Sequence, residues 1–412
     1  MTPAMRTSIA TRLIAAAALA TIASVGAAPQ APQDLVARAR AIHDRVIALD
    51  THDDIDPQNF TAECNYTMRL TTQVNLPKMK EGGLDVSFFI VYVGQGELTP
   101  AGYESGYRSA VAKFDAIHRL TEQIAPKEIE LALTSADVPR IAKSGKKVAV
   151  IGIENGWPIG TDLKRIKEFY DRGGRYMSLA HNGHNQLSDS HTGEAANEWK
   201  WGGLSPLGRD AIREMNRLGM MIDVSHPSKA SILQTIGLSQ APVIASHSSV
   251  RRLANQSRNM DDDLLMAMKT NGGVVQINAV AGFIKAEPAQ GGGGGRGGRG
   301  AQPSSARACP IEGSTPPAAE PRPGRATVKD YVDHIDYAVK LMGIDHVGIA
   351  SDFDGGGGVD GWNSAAESVN VTVELVRRGY TEEQIGKIWS SNLLRVWSEV
   401  EKTAKSIQAG NR

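Results

Sequence analysis

Eight short apolar segments recur along the 412-residue chain, and several are separated by stretches with apolar residues at helical spacing. Strands that alternate with helices form parallel βαβ units, and eight such units favour closure into a (β/α)8 barrel of the TIM type. An open, doubly wound sheet is the alternative architecture. The predicted strands span residues 46–50, 85–93, 148–153, 176–180, 220–224, 243–246, 273–278 and 347–350, and the clearest predicted helices span 206–218, 261–269 and 328–341.

Most of the predicted strands run directly into a side chain that can bind a metal ion or carry a proton. In a closed barrel the carboxyl ends of the strands share one rim, which is where barrel enzymes hold their active sites. An open sheet would spread the same residues along a line. The sequence therefore predicts one cluster at the rim, formed by His52, Asp54, Glu154, His181, His226, His247 and Asp352.

The first two candidate ligands are His52 and Asp54, which lie two positions apart. On an extended segment their side chains point the same way and can hold one cation, although acidic turns after strands are also common. Glu154 ends the apolar run 148–153, where an unpaired buried carboxylate would cost several kcal/mol. Either a cation or a basic side chain would remove that cost.

His226 and His247 each follow a serine at the end of consecutive predicted strands. Either histidine alone is more typical of a hydrogen-bonded core residue. Together with the His-x-Asp pair and a buried glutamate they indicate zinc, which prefers neutral imidazole and carboxylate ligands. Formal charge favours two ions that share Glu154, because three carboxylates (Asp54, Glu154 and Asp352) and one hydroxide balance two divalent cations.

The two cysteines of the chain, Cys64 and Cys309, are too few for a cysteine-based zinc site. Cys64 lies in the loop after the first predicted strand, and Cys309 lies in the long loop after the seventh. Only the eighth strand separates these two positions around a barrel. We expect a disulfide between them in an oxidising compartment, with two free thiols as the alternative.

Residues 1–28 have the layout of a cleaved secretory signal peptide, because Arg6 and Arg12 precede an apolar run from 13 to 25 that ends in small residues. The run is shorter than the roughly 20 residues of a spanning helix, so we expect no stable membrane anchor. The mature chain, 29–412, is predicted to be a single barrel domain, periplasmic or secreted. Lys+Arg and Asp+Glu number 45 each, and this balance favours a small-molecule partner over nucleic acid.

A segment at about 286–325 interrupts the barrel pattern, with five consecutive glycines at 291–295, two Gly-Gly-Arg units and many prolines and serines. The glycines do not continue into the Gly-Lys-Ser/Thr of a phosphate-binding loop, and a secreted protein rarely meets RNA. We predict a flexible linker or lid after the seventh strand.

Seven segments carry a family pattern: LDTHDD (49–54), GLSPLG (203–208), EMNRLGMMIDVSH (214–226), SHSS (246–249), RN (258–259), DHVGIASDFDG (345–355) and NLLRV (392–396). In these segments the chain resembles the membrane (renal) dipeptidase family, zinc enzymes related to the amidohydrolases. The resemblance runs from about residue 46 to the C-terminal helix. The family usually has Glu-Gly-Gly-His where this chain has Glu154-Asn155-Gly156-Trp157, so the preferred substrate side chains stay open.

The resemblance implies hydrolysis of dipeptides by a hydroxide that bridges two zinc ions, and a site that could also open β-lactam rings. His52 and Asp54 would bind one zinc, His226 and His247 the other, and Glu154 both. Such a pair of ions lowers the pKa of the water between them towards neutrality and polarises the scissile carbonyl. The resemblance also suggests a homodimer.

The resemblance further implies that His181 lies over the substrate, that Arg258 holds the substrate carboxylate and that Asp352 moves the proton. Those roles fit a donor to the oxyanion, a planar fork for a carboxylate and a general acid–base. A surface salt bridge is the alternative for Arg258. We expect His184, His191 and His346 to be structural or surface histidines.

Two other functions are weighed against a dipeptidase. Another two-metal hydrolase on the same barrel could cut lactones, N-acyl amino acids or phosphotriesters, and Arg258 discriminates because a neutral ester needs no carboxylate clamp. A non-catalytic binding protein outside the cell is the third hypothesis. Retention of all five candidate ligands and Asp352 argues against it, because a decayed site has no reason to keep a proton carrier.

Overall fold

The strands form one parallel sheet in the computed structural model, which describes residues 32–285, 309–313 and 324–410. Within these residues the sheet contains nine strands. They are β1 (Leu49–Asp54), β2 (Val86–Tyr92), β3 (Ile129–Leu131), β4 (Lys147–Glu154), β5 (Gly174–Ser178), β6 (Met221–Asp223), β7 (Ile244–Ala245), β8 (Val274–Asn278) and β9 (Val347–Ala350).

Eight of the strands run around a nearly closed barrel in the order β1-β2-β4-β5-β6-β7-β8-β9, while β3 pairs only with the start of β4. Contacts between β1 and the residues that directly follow β9 complete the ring. The amide of Asp54 donates to the carbonyl oxygen of Phe353 at 2.9 Å, and the amide of Ser351 donates to Oδ1 of Asp50 at 2.9 Å. The predicted (β/α)8 architecture is confirmed, and the open sheet is excluded.

Helices connect the strands, as parallel pairing requires. The thirteen α-helices of the described residues are α1 (Pro32–His43), α2 (Leu76–Gly82), α3 (Pro100–His118), α4 (Asp137–Lys143), α5 (Lys164–Asp171), α6 (Pro206–Leu218), α7 (Lys229–Leu238), α8 (Asp262–Asn271), α9 (Ala281–Ile284), α10 (Val328–Met342), α11 (Val369–Arg377), α12 (Glu382–Gly386) and α13 (Asn392–Gln408). Short 3₁₀ turns lie at Pro57–Asn59, Trp157–Ile159, His191–Gly193, Ile344–His346 and Ala365–Glu367, and π-helical turns at Arg119–Ile124 and Lys387–Ser391.

Local sequence explains why α6 begins and ends where it does. Ser205 accepts a hydrogen bond from the amide of Gly208, and Pro206 fits the first helical position because its missing N–H would have no partner there. The left-handed Gly219, with φ of 84°, ends the helix. The buried face between these caps packs on the barrel through Ala211, Ile212, Met215 and Leu218.

Two strand predictions need correction. The first strand was predicted at 46–50 but runs from Leu49 to Asp54. Most of its residues are polar, so no apolar pattern marks where it ends. The short β3 was not predicted, since three residues with a glutamate in the middle give no detectable alternation. The shift places His52 and Asp54 within β1 rather than after it.

The predicted disulfide is confirmed between Cys64 and Cys309, whose Cα atoms lie 5.4 Å apart. The five described residues around Cys309 pair with the loop that follows β1. The amide of Thr71 donates to the carbonyl oxygen of Pro310 at 2.7 Å, and Arg69 pairs with Glu312 at 2.8 Å. The other residues of the predicted flexible segment, 286–308 and 314–323, lie outside the described residues, as does the predicted signal peptide.

Candidate metal centre

The five predicted ligands converge at the carboxyl ends of the barrel strands, around the carboxylate of Glu154. All are buried or nearly so. Glu154 Oε1 lies 2.9 Å from Nε2 of His226 and 3.3 Å from Nε2 of His247, and its Oε2 lies 3.5 Å from Nε2 of His52. Oδ2 of Asp54 is 4.0 Å from the same His52 nitrogen. Glu154 therefore contacts both predicted pairs.

A tyrosine hydroxyl fixes which nitrogen of His52 faces the centre. The hydroxyl of Tyr176 donates to the carbonyl oxygen of Thr51 at 3.0 Å, so it can accept a hydrogen bond from Nδ1 of His52, also at 3.0 Å. With the proton on Nδ1, Nε2 presents a lone pair to the centre. This buried Nε2 has no hydrogen-bond partner in the described structure, which fits a metal ligand.

The other two histidines are oriented in the same way. Ser246 donates to Asp223 at 2.7 Å, and its oxygen can accept from Nδ1 of His247 at 2.8 Å. The side-chain oxygen of Asn182 accepts from Nδ1 of His226 at 3.1 Å. Both histidines then direct Nε2 lone pairs inward, and the two Nε2 atoms lie only 3.0 Å apart. Two facing lone pairs repel each other unless a cation lies between them.

The spacing of these atoms fits zinc. Zinc bonds of about 2.0–2.1 Å in a tetrahedral arrangement put neighbouring ligand atoms roughly 3.3 Å apart. The separations among Nε2 of His226, Nε2 of His247 and Oε1 of Glu154 are 2.9, 3.0 and 3.3 Å. Three side-chain groups in this cluster have ligand atoms close enough for one ion: His52, Glu154 and His247; Glu154, His181 and His226; and His52, Asp54 and Asp352.

The electrostatics of the cluster also favour cations. Burial opposes a charge on His52, but Glu154, Asp352 and Asp54 outweigh it and raise the pKa of His52 to about 10. Burial would raise the pKa of Glu154, yet His181, His52 and the neighbouring imidazoles hold it well below the usual value. Without a metal, His52 would therefore carry a proton that balances the carboxylates, and a cation can take that place.

Asp352 lies beside the His52 half of the cluster. Its Oδ2 accepts a hydrogen bond from the side-chain amide of Asn278 at 3.0 Å. Burial raises the pKa of Asp352 to about 7. A carboxyl group that titrates near neutral pH can both accept and deliver a proton.

Arg258 lies on the opposite half, in the loop between β7 and α8. Its guanidinium donates to the carbonyl oxygen of His247 at 2.9 Å and to Oγ of Ser248 at 3.1 Å. The side chain is buried, its Nε has no hydrogen-bond partner, and no carboxylate of the described residues forms an ion pair with it. Burial lowers the pKa of Arg258 to about 10. The alternative of a surface salt bridge for this residue is excluded.

Five residues other than glycine have a left-handed backbone in the described part of the chain, and three of them belong to the candidate site or adjoin it: Asn155 with φ of 76°, His226 with φ of 74° and Asp352 with φ of 59°, the others being Asn197 and Asp354. Such residues are strained and concentrate at functional sites. Asn155 directly follows Glu154, and its side chain donates to the carbonyl oxygen of Val93 at 3.0 Å. The strain therefore lies at a candidate ligand, at a residue beside one and at the candidate proton carrier.

Sequence reasoning missed the residues that orient the candidate ligands and the candidate proton carrier, namely Tyr176, Asn182, Asp223, Ser246 and Asn278. Ser246 alone left a signal, because it directly precedes His247. Two of the histidines expected to be structural fit that expectation: His191 bonds to Ser257 and Asn182, and Nδ1 of His346 bonds to the carbonyl oxygen of Gly273. His184 accepts a hydrogen bond from the amide of Ser190.

The protein is therefore a parallel (β/α)8 barrel with a candidate metal centre, formed by buried imidazoles and carboxylates at the carboxyl ends of its strands. Residues 36–411 match the membrane dipeptidase family, peptidase family M19. The chain belongs to this family. The described residues contain no helix that is long and apolar enough to cross a membrane.

Individual relatives agree with this assignment. The chain is 32% identical to dipeptidase tcpJ of Claviceps purpurea over 345 residues, which cover 82% of this chain and 72% of that protein. It is 31% identical to dipeptidase aclJ of Aspergillus oryzae over 376 residues, covering 88% and 80%. The crystal structure of the probable dipeptidase PvdM from Pseudomonas aeruginosa matches with a TM-score of 0.78 and 30% identity, covering 91% of this chain and 100% of that one.

Proposed function

We propose that the protein hydrolyses dipeptides with the help of two zinc ions, which His52 and Asp54 on one side and His226 and His247 on the other would hold, with Glu154 shared. When bound, two such ions supply an activated water and polarise the scissile carbonyl. The donor set, its lone-pair directions and its spacing support this assignment.

The residues around the centre have separable tasks in this reaction. Asp352 accepts the proton of the attacking water and delivers it to the leaving amine, while Asn278 holds the carboxylate in place. Nε2 of His181 lies 3.8 Å from Oε1 of Glu154, and the Tyr92 hydroxyl lies 3.5 Å from Nδ1 of His181. If Tyr92 donates to Nδ1, His181 keeps its proton on Nε2 and can donate to the developing oxyanion.

The observation that carries the proposal is the buried guanidinium of Arg258. A buried cation without an anionic partner is costly, so this site is arranged for an anion from outside the chain. The C-terminal carboxylate of a dipeptide lies one residue beyond the scissile bond and suits a guanidinium beside the metal ligands. A lactone or phosphotriester offers no such group, which makes these hydrolases the weaker alternative.

The test is a panel of dipeptides, their C-terminal amides, a lactone and a β-lactam, assayed with wild type and Arg258→Ala. We expect Arg258→Ala and amidation of the substrate each to lower kcat/KM by roughly tenfold to a hundredfold. The substitution and the amidation combined should lower kcat/KM little more than either change alone, since each removes the same interaction. Arg252→Ala, an exposed cation on the same loop, is the matched control.

Fully additive losses would place the carboxylate elsewhere, and a preference for the lactone would overturn the dipeptidase assignment. The compartment is a further part of the proposal. Residues 1–28 indicate export to the periplasm or medium, and the Cys64–Cys309 disulfide supports an oxidising compartment.

A further inference from the structure

Lys113 is a charged residue near the candidate centre that the proposed reaction does not use. It lies partly buried on α3, beside the buried Ala110, Ala116 and Ile117 and the exposed Ser109. Lysines are rarely placed among buried residues unless they are paired. No hydrogen bond or ion pair to Lys113 occurs in the described part of the chain; its ammonium lies 5.7 Å from the centre of the Tyr92 ring.

The position of Tyr92 places this ammonium at the barrel rim. Tyr92 ends β2 and pairs in register with Glu154 of β4, and its hydroxyl lies 3.5 Å from Nδ1 of His181. The carboxylates of Asp54, Glu154 and Asp56 act on the Lys113 charge. Asp54 and Glu154 belong to the candidate metal centre, and Asp56 accepts a hydrogen bond from the amide of Gln58 at the start of the turn Pro57–Asn59. Once cations balance the first two, Asp56 is the acidic neighbour that remains, and it forms no ion pair with Lys113 in the described residues, so the ammonium is free to attract an anion from outside the chain.

The position of α3 is fixed by close packing. Gly106 and Gly96 face the ring of Trp157, and a Cβ at either glycine would come within 2.6 or 2.4 Å of that ring. Trp157 also donates from Nε1 to the carbonyl oxygen of Glu97 at 3.1 Å. The helix that carries Lys113 is therefore held against the segment that follows Glu154.

Lys113 and Arg258 lie on opposite sides of the barrel. Arg258 is bonded to the residues that follow β7, and Lys113 lies by the end of β2, which is four strands away in a ring of eight. A dipeptide whose C-terminal carboxylate is at Arg258 extends across the metal ligands towards β2. Its N-terminal residue then lies on the Lys113 side.

We propose that Lys113 selects dipeptides with an acidic N-terminal residue, by pairing its ammonium with the side-chain carboxylate of that residue. The inference rests on the proposed dipeptidase function and names the substrate class of that same site. Lysine provides a single flexible point charge, which suits a side-chain carboxylate of variable length.

The experiment compares kcat/KM for Asp-Ala with that for Asn-Ala, which has nearly the same shape without the charge, and includes Ala-Ala as a neutral reference. In wild type we expect Asp-Ala to be preferred by roughly tenfold to a hundredfold, as a charge-assisted hydrogen bond provides. Lys113→Met should bring this ratio close to one, Lys113→Arg should retain it, and Lys113→Glu should invert it. Arg108→Met, an exposed cation on the same helix, should leave the ratio as in wild type.

If Ala-Ala is hydrolysed and the ratio is the same in wild type and Lys113→Met, the inference is wrong and the dipeptidase function stands. If no dipeptide is hydrolysed by zinc-loaded wild type, both are wrong. Loss of the preference in Lys113→Arg as well as in Lys113→Met would assign Lys113 a packing role and would equally overturn the inference.

Discussion

The two halves of the candidate metal centre differ in charge. The β1 half contains His52, Asp54 and the adjacent Asp352, so a histidine there is surrounded by carboxylates. The half at β6 and β7 contains His226 and His247, with the guanidinium of Arg258 close behind them. Burial lowers the pKa of His226 and His247, whereas the carboxylates raise the pKa of His52.

This difference in charge means that the two halves would bind a metal ion with different changes in protonation. The imidazole half holds its ligands neutral and ready for a metal without any loss of protons. In the proposed site the carboxylate half would exchange a proton for a cation, and it contains Asp352, the proposed proton carrier. Glu154 connects the halves, and the substrate would lie across both.

The largest effect is expected for Asp352→Asn. If Asp352 carries the proton, this variant keeps its metal but loses roughly 10²–10⁴-fold in turnover, the usual contribution of a general acid–base group. If Asp352 is instead a ligand of the β1 half, as its distance to His52 and Asp54 permits, the variant also loses metal. Zinc content and dipeptide turnover measured on the same sample separate the two roles, and wild-type turnover would rule out both.

A smaller effect is expected when the orienting groups are removed one half at a time. Tyr176→Phe should lower the affinity for the ion of the β1 half, and Ser246→Ala should lower the affinity for the ion beside His247, each by about 10–100-fold. Tyr337→Phe removes an exposed hydroxyl that bonds to Asp262, which is not one of the candidate ligands, and serves as the control. Chelator competition that resolves two binding steps measures this. If each variant lowered the zinc affinity of both binding steps equally, the two halves would not bind their ions independently.

The smallest effect concerns pH. The raised pKa of Asp352, about 7, and of His52, about 10, mean that these two groups bind protons more strongly in the metal-free fold than in the unfolded chain. Stability from Asp352 is lost as pH rises from about 4 to 7, and from His52 as it rises from about 6.5 to 10. If zinc replaces these protons, as proposed, its stabilising effect should grow with pH.

We therefore expect the rise in Tm on adding zinc to be at least about 2 °C larger at pH 8 than at pH 5.5. Thermal unfolding at the two pH values measures this difference. Glu154→Gln, which lacks the shared carboxylate, should show little gain from zinc at either pH. A gain in wild type that does not change with pH would contradict the proton exchange assigned to the β1 half.

The two halves of the candidate centre also differ in how well the sequence predicts them. Several rim residues could be predicted because they end or follow an apolar strand, as Glu154 ends β4 and His247 follows β7. The limits of β1 could not, because Asp50, His52 and Asp54 make a strand of polar residues that no hydrophobic alternation marks.

The orienting contacts were equally beyond sequence reasoning. The hydroxyl of Tyr176 reaches His52 across 124 positions of the chain, and Asn278 reaches Asp352 across 74. Such pairs are created by barrel closure and have no local pattern. The anchoring of the segment around Cys309 was predicted only as far as the disulfide; its pairing with Arg69 and Thr71 was not.

In the proposed site Glu154 joins two halves that each hold an ion. The zinc content of the purified, active protein, measured by elemental analysis on the sample used for dipeptide turnover, tests this arrangement. We expect about two zinc ions per chain, as a two-metal hydrolase requires, with activity lost on chelation and restored by zinc. One ion per chain, or none, in a fully active sample would contradict it.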